Sequence, residues 1–201
     1  MLDRYSLRLL KPLLESIARF LGQKGFKADQ ITIVSFIIGL AAALCIAGQH
    51  YLWGLILLLL NRLGDGVDGA LARNYGATDR GAFLDISLDF IFYSVIVLSF
   101  ALADPEKNSL AATFLIFSFV CTGSTFLAYA IMAERRSIKD SRLPSKGFYY
   151  LGGLAEGTET IILFILFCLF PAIFPVLAWV FGSLCLLGAA ARIIYGYKTL
   201  T

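Results

Sequence analysis

Six apolar segments of about 20 residues follow one another along this chain, and they constrain its fold more than any other feature. They lie at residues 30–48, 51–72, 82–103, 110–133, 154–171 and 175–196. Each is long enough to cross the hydrocarbon core of a bilayer as a helix. Hydrophobic residues make up 59% of the chain, more than a soluble domain of this length can bury. The sequence therefore predicts an all-α polytopic membrane protein with six transmembrane helices.

A basic stretch of 27 residues precedes the apolar segments. Its apolar side chains recur at steps of three and four residues, on one face of a helix: Leu7, Leu10, Leu14, Ile17 and Leu21. A basic amphipathic helix suits the surface of an anionic leaflet. Residues 1–27 are therefore predicted to form an amphipathic interfacial helix, broken or restarted at Pro12, and residues 28–201 a six-helix domain.

The positive charges are unevenly distributed among the connections between the segments. With six spans, 14 of the 17 Lys and Arg residues fall at the termini or in connections on one side. Lys107 lies in a connection on the other side, while Arg62 and Arg192 lie inside segments. The positive-inside rule then places both termini in the cytoplasm. A net charge of +3 is too small to indicate a nucleic-acid partner.

Four aspartates interrupt the second and third segments near the end predicted to face the cytoplasm. Asp65 and Asp68 are three residues apart and Asp85 and Asp89 are four apart, so each pair shares a helix face. A short connection makes the two helices antiparallel neighbours. The sequence therefore predicts that four carboxylates meet at the cytoplasmic end of the bundle.

Four carboxylates at close range repel one another in a medium of low dielectric constant. They must be largely protonated or held together by cations, and carboxylate oxygens favour Mg²⁺ or Mn²⁺. Two such ions can clamp a reacting phosphate. Gly66, Gly69 and Gly81 leave space beside the cluster, and Arg73 suits phosphate oxygens. The alternative is that the acids end a helix and pair with Arg62 or Arg73, but four acids in apolar segments are costly.

These aspartates belong to a pattern that resembles the signature of the CDP-alcohol phosphatidyltransferases, D-x2-D-G-x2-A-R-x7/8-G-x3-D-x3-D. All its fixed positions match: Asp65, Asp68, Gly69, Ala72, Arg73, Gly81, Asp85 and Asp89. The six-segment layout is similar too, over about residues 28–198. Asp29 to Thr32 resemble the family's N-x-x-T, with Asp29 in place of Asn. Within the family, the chain is similar to an inner-membrane branch of gamma-proteobacteria.

The resemblance implies an enzyme of the bacterial inner membrane that transfers a phosphatidyl group from CDP-diacylglycerol to a small alcohol and releases CMP. It implies one metal ion on Asp65, Asp68 and Asp85, a second on Asp65, Asp85 and Asp89, and Asp89 as general base. The implied CDP-lipid contacts are Asp29, Thr32, Gly69, Ala72, Arg73, Thr78 and Gly81. We also expect a homodimer, since glycines of the fourth and sixth segments suit either internal packing or a dimer contact.

Polar residues in the fifth and sixth segments predict the nature of the acceptor. Glu156, Glu159 and Arg192 form the expected acceptor pocket, and helix capping is the alternative role of the glutamates. Relatives that take a phosphorylated inositol resemble A-E-R-x-E-R and Y-V-R-A-R-A-E in these regions. Here the four corresponding arginines are replaced by Ala130, Met132, Gly157 and Thr160. Because arginine is the natural phosphate binder, we expect a non-phosphorylated polyol or amino alcohol.

Two alternatives remain open. Within the family, the alternative is a phosphatidylglycerophosphate or phosphatidylinositol-phosphate synthase, with other basic residues binding the phosphate: Arg135, Arg136, Lys139 and Arg192. Outside the family, an ion or proton carrier would also use membrane acids. Carriers often place such acids near the bilayer midplane between repeats, and this sequence shows no repeat.

Overall fold

The computed structural model of the protein describes residues 3–135 and 157–200, and every regular element within these ranges is helical. The elements are α1 (Asp3–Gln23), α2 (Ala28–Ala47), α3 (Tyr51–Tyr75), α4 (Asp79–Ala103), α5 (Pro105–Arg135), α6 (Gly157–Leu169), a 3-10 turn (Pro171–Ile173) and α7 (Phe174–Thr199). The prediction of an all-α fold is confirmed. The apolar segments agree with α2 to α7 to within a few residues at each end.

Four stretches of the described chain are long and apolar enough to cross a membrane: α2, α4, α5 and Pro171–Thr199. The helix α3 is too polar to qualify, because every stretch of 18 residues within it contains the three charged side chains of Arg62, Asp65 and Asp68. The helix α6 has 13 described residues, fewer than the roughly 20 that a span requires. The structure thus supports a polytopic membrane protein, and the count of six spans stays a prediction.

The helix α1 lies against α3 and is continuous through Pro12. The predicted break at this proline is therefore wrong. A proline removes one backbone hydrogen bond, and the burial of Leu14 and Ala18 against Val67 and Leu71 of α3 offsets that loss. The position of α1 at a membrane surface stays a prediction.

The helix α2 packs closely against both α3 and α4 and holds them on either side of a polar cavity. Small side chains permit the close approach: a methyl group added to Gly64 of α3 would collide with the hydroxyl of Ser35 on α2. Elsewhere the bundle is held by wholly buried aromatic rings: Phe92, Phe100, Phe164, Phe167 and Phe174. The polar cavity is thus the exception in an otherwise apolar interior.

Two short connections fix the ends of α3, α4 and α5. Gly76 ends α3 with a φ of 114°, a left-handed conformation that favours glycine, and its N–H donates to Ala72. Thr78 caps α4 by accepting from the Gly81 N–H at 3.0 Å. At the opposite end of α4, a hydrogen bond from Lys107 holds the pKa of Asp104 below its usual value.

Candidate active site

The polar cavity lies where α2 and α4 begin and α3 approaches its end. Its lining combines carboxylates with other polar and aromatic side chains from the three helices: Thr32, Ser35, Phe36, Asn61, Arg62, Asp65, Asp68, Asp85, Leu88, Asp89 and Phe92. The i, i+3 and i, i+4 spacings turn each pair of aspartates toward this space. The structure therefore brings together all four acids of the sequence motif in one cavity.

Three of the acids form a group that could hold a metal ion. Carboxylate oxygens of Asp65, Asp68 and Asp85 lie within 4.8 Å of one another. Asp68 is only 4% exposed, and its Oδ2 has no hydrogen-bond partner among the described residues. A buried carboxylate oxygen is costly unless it is paired. An all-oxygen, anionic donor set with such an orphaned atom fits a hard divalent cation.

Asp89 shares the cavity but has a different partner. Its Oδ1 accepts a hydrogen bond from Nη2 of Arg62 at 3.0 Å. The Nη1 atom of the same guanidinium lies 3.5 Å from Oδ2 of Asp65. Arg62 therefore joins an acid of α3 to an acid of α4 and offsets part of the negative charge of the cavity.

Several contacts fix the Arg62 side chain, which is only 14% exposed. Its Nε donates to Oδ1 of Asn61 at 2.7 Å, and Nδ2 of Asn61 donates to the Ser35 carbonyl at 2.7 Å. The guanidinium carbon lies 4.2 Å from the centre of the Phe92 ring, a cation–π distance. The hydroxyl of Tyr93 accepts a longer bond of 3.5 Å from Nη1. Neighbours on α3 and α4 thus hold this cation beside Asp89, and one of them, Asn61, is itself bonded to α2.

The residues that the family resemblance implies as CDP-lipid contacts form two groups in the structure. In the first, Asp29, Thr78 and Gly81 lie together at the beginnings of α2 and α4. A methyl group on Gly81 would lie 2.9 Å from Oδ1 of Asp29 and 3.1 Å from Oγ1 of Thr78. The exposed Arg80 donates to Oδ2 of Asp29 from Nε at 3.2 Å and from Nη2 at 2.9 Å. In this group the space beside the Gly81 backbone is filled by oxygens of Asp29 and Thr78, and Asp29 already has a cationic partner in Arg80.

The second group follows the aspartates along α3. Gly69 and Ala72 are half-buried and Arg73 is exposed. A methyl group on Gly69 would lie 3.3 Å from Nη1 of Arg73. Thr32 of α2 is buried beside Asp68 in the cavity lining, and its hydroxyl donates to the Ala28 carbonyl at 3.1 Å. The exposed guanidinium of Arg73, beside a helical turn that carries the small residues Gly69 and Ala72, suits an anionic ligand.

The predicted acceptor pocket is only partly brought together. Glu156 lies outside the described residues, and Glu159 is half-buried in the first turn of α6. Gly157 lies near the site, since an added methyl group would be 3.8 Å from the Tyr93 hydroxyl. Arg192 of α7 donates to the Thr122 carbonyl at 2.8 Å and to Oγ1 of Thr125 at 3.0 Å, both on α5. These bonds direct its guanidinium toward α5.

Sequence reasoning named Arg62 only in the alternative to a metal site, as a partner of the α3 acids, and missed its contact with Asp89. The available signal was its position inside an apolar segment, three residues before Asp65. It also missed the Arg80–Asp29 pair, whose partners are 51 residues apart in the chain. Such a pair depends on the packing of α2 against α4, which no local spacing reveals.

Comparisons with known proteins agree with this geometry. A family model described as CDP-alcohol phosphatidyltransferase matches residues 26–190. The inner membrane protein YnjF of Escherichia coli (strain K12) is 51% identical over 200 residues, which cover 100% of this chain and 97% of that protein. The phosphatidylinositol phosphate synthase of Streptomyces avermitilis is 31% identical over 168 residues, 81% of this chain and 64% of that protein.

A solved structure shares the fold. The crystal structure of Mycobacterium tuberculosis phosphatidylinositol phosphate synthase (PgsA1) with CDP-DAG bound matches with a TM-score of 0.67 at 21% sequence identity. The match covers 92% of this chain and 94% of that chain. Together with the inner-membrane relative and the four apolar helices, it agrees with a helical protein of the membrane.

Proposed function

Because the chain belongs to the CDP-alcohol phosphatidyltransferase family, we propose that it transfers a phosphatidyl group from CDP-diacylglycerol to an alcohol acceptor and releases CMP. The observation that carries the proposal is the carboxylate cavity of Asp65, Asp68 and Asp85 with Asp89 beside it. The names of two relatives, both phosphatidylinositol phosphate synthases, support the same reaction class, and one of them is solved with CDP-DAG.

Divalent cations belong to the proposal. Asp65, Asp68 and Asp85 would hold one Mg²⁺ or Mn²⁺ ion, and Asp65, Asp85 and Asp89 a second. Bound there, the ions would neutralise the charge of the diphosphate. The protein's own contribution is to fix the acids on two helices that α2 holds apart, so that little reorganisation is needed during the reaction.

The donor is proposed to lie along both of these groups of residues. Arg73 would bind phosphate oxygens, and Gly69, which has no side chain, would allow the ligand to approach the backbone. Asp29 with Thr32 and Thr78 would contact the nucleotide, and Gly81 leaves room for Asp29 and Thr78 beside the backbone of α4. In the reaction, Asp89 accepts the proton of the acceptor hydroxyl. The freed oxygen forms a bond to the lipid-side phosphorus while the bond from that phosphorus to CMP breaks, and CMP leaves with the electron pair.

The acceptor is proposed to be a polyol or amino alcohol without a phosphate. Gly157 contributes no side chain near Tyr93, and Thr160 is buried. Ala130 and Met132 are exposed on α5. None of these four side chains offers a cation, and the charge of Glu159 would repel a phosphate. The names of the synthase relatives favour the competing proposal of a phosphorylated inositol or glycerol 3-phosphate.

The orientation in the membrane is also a proposal. The bias of Lys and Arg supports a cytoplasmic site and two cytoplasmic termini in a bacterial inner membrane. We also propose a homodimer; Gly188 of α7 is buried, but no described atom lies within 4 Å of an added methyl group, so it leaves room for a close helix contact.

Release of CMP by the purified protein tests the proposed reaction. With CDP-diacylglycerol and an acceptor, Asp89→Asn is expected to lower turnover by at least about 10²-fold, as for loss of a general base. The control is Asp104→Asn, which alters an acid at the opposite end of α4 and should keep the wild-type rate. Wild-type turnover in Asp89→Asn would place the base elsewhere, and no release of CMP with any alcohol would refute the reaction.

Matched pairs of acceptors test the second part of the proposal. Inositol and inositol phosphate, glycerol and glycerol 3-phosphate, and ethanolamine and phosphoethanolamine are compared in competition. We expect the free alcohol to be preferred in one pair and Glu159→Gln to weaken that preference. Preference for a phosphorylated acceptor that is lost in Arg192→Gln and unaffected in Glu159→Gln would favour the competing proposal.

A further inference from the structure

Arg62 occupies one side of the carboxylate cavity. Its guanidinium contacts Asp89 at 3.0 Å and Asp65 at 3.5 Å. The oxygens grouped within 4.8 Å belong instead to Asp65, Asp68 and Asp85. The cavity therefore has a cation-free side around Asp68 and Asp85 and a side where the protein supplies its own cation.

We propose that Arg62 competes with the second divalent ion for Asp65 and Asp89, so that the cavity holds one ion tightly and the other weakly. The inference rests on the proposed function, in which these two acids hold the second ion together with Asp85. It makes Arg62 a positioning residue, which acts through the acids it contacts.

The physical basis is that two cations cannot share the same carboxylate oxygens. The guanidinium stays charged at every accessible pH, so it repels an incoming divalent ion. The ion must also displace two contacts of the guanidinium, the ion pair with Asp65 and the charge-assisted hydrogen bond to Asp89. The first ion meets the guanidinium at one of its three acids only, because Arg62 contacts Asp65 whereas no described cation contacts Asp68 or Asp85.

The surroundings of Arg62 also allow its contacts to be released. Its Nε is bonded to Asn61 and its planar group faces the Phe92 ring, and neither contact involves an aspartate. The terminal nitrogens can therefore leave Asp65 and Asp89 while Nε keeps its bond to Asn61. A diphosphate in the cavity offers the displaced guanidinium new oxygens, which would couple binding of the donor to binding of the second ion.

Titration of the protein with Mn²⁺ tests the proposed competition without measuring enzyme activity. Electron paramagnetic resonance of the free ion gives the number of bound ions and their affinities. In the absence of CDP-lipid, the wild type should bind one ion per chain tightly and a second at least about tenfold more weakly. Arg62→Gln and Arg62→Met should each tighten the second ion by at least about tenfold, since a unit charge at about 4 Å contributes more than this. Arg62→Lys keeps the charge and should retain a weak second ion.

The matched control is Arg192→Gln, which removes a half-buried arginine that bonds to α5. It should leave both Mn²⁺ affinities unchanged. Thermal unfolding in detergent identifies any variant that does not fold, and Arg62→Met is the second charge-free variant because its apolar chain suits the Phe92 ring.

The outcomes separate the inference from the proposed function. Two equally tight ions in the wild type, or an unchanged second affinity in the charge-free variants, would overturn the competition and leave the reaction standing. Failure of the wild type to bind any Mn²⁺ would instead remove the metal chemistry on which both depend.

Discussion

Asn61 is a buried residue that holds Arg62 in place without a hydrogen bond to the aspartate side chains. Its substitution therefore tests the support of Arg62 while the four acids stay unchanged. Asn61 is 2% exposed, donates to the Ser35 carbonyl of α2 and accepts from Nε of Arg62. Asn61→Ala removes both bonds without touching an aspartate. It leaves the Nε–H donor of Arg62, a largely buried cation, without its partner in the lining of the polar cavity.

The expected cost follows from these two bonds. A hydrogen bond between membrane helices contributes about 0.6 kcal/mol on average, and one to a charged group about 1.5–3 kcal/mol. We expect Asn61→Ala to lower the free energy of unfolding by about 2–4 kcal/mol in total. At about 2–4 °C per kcal/mol for a chain of this length, the melting temperature should fall by roughly 5–15 °C.

Thermal unfolding of the purified protein in detergent measures this effect. The control is Ser99→Ala, because Ser99 is equally buried but its hydroxyl donates to Ile96 within its own helix. The control should lose less than about 1 kcal/mol. If Asn61→Ala melts within a degree or two of Ser99→Ala, Asn61 does not hold Arg62 and α2 as the structure indicates.

Three further predictions address the metal, the N-terminal helix and the orientation. Chelation should abolish CMP release and Mg²⁺ or Mn²⁺ should restore it, whereas full activity in excess chelator would contradict the two-ion proposal. Leu14→Ala should weaken the contact of α1 with α3 by about 2–5 kcal/mol and increase hydrogen exchange in α1, unlike Leu13→Ala at an exposed position. In a cysteine-free background, His50→Cys should react with an impermeant reagent outside intact cells and Gln23→Cys should not; the reverse would contradict the orientation.

The fold could be predicted largely because a membrane-spanning helix is recognised from the length of its apolar segment. Segment ends agree with the helices to within a few residues, and the differences have a local cause. The helix α4 begins before its apolar part, because Thr78 caps it ahead of the first apolar residues. The predicted break at Pro12 was wrong because the sequence shows only the local effect of a proline on a helix. The packing of Leu14 on α3, which stabilises the continuous helix, is a tertiary contact that the sequence does not show.

The candidate site was predictable to the extent that its geometry is helical. Spacings of three and four residues turn Asp65 with Asp68, and Asp85 with Asp89, to one face each. The sequence offered Arg62 as a partner of Asp65 on the same helix, but a partner on another helix was not predictable, since it depends on how α2, α3 and α4 pack. Contacts such as Arg62 to Asp89, 27 residues apart, therefore appear only in the structure.

Arg62 also offsets part of the electrostatic cost of gathering four carboxylates in one cavity. Four carboxylates within one cavity repel one another, and each is costly among apolar helices. A fixed guanidinium between Asp65 and Asp89 lowers that repulsion on one side, while the phenyl ring of Phe92 and the amide of Asn61 satisfy the rest of the side chain. On the other side, Asp68 keeps an oxygen without a described partner. The proposed competition follows from this arrangement, in which Asp68 offers a ligand for a first ion and Arg62 would oppose a second ion at Asp65 and Asp89.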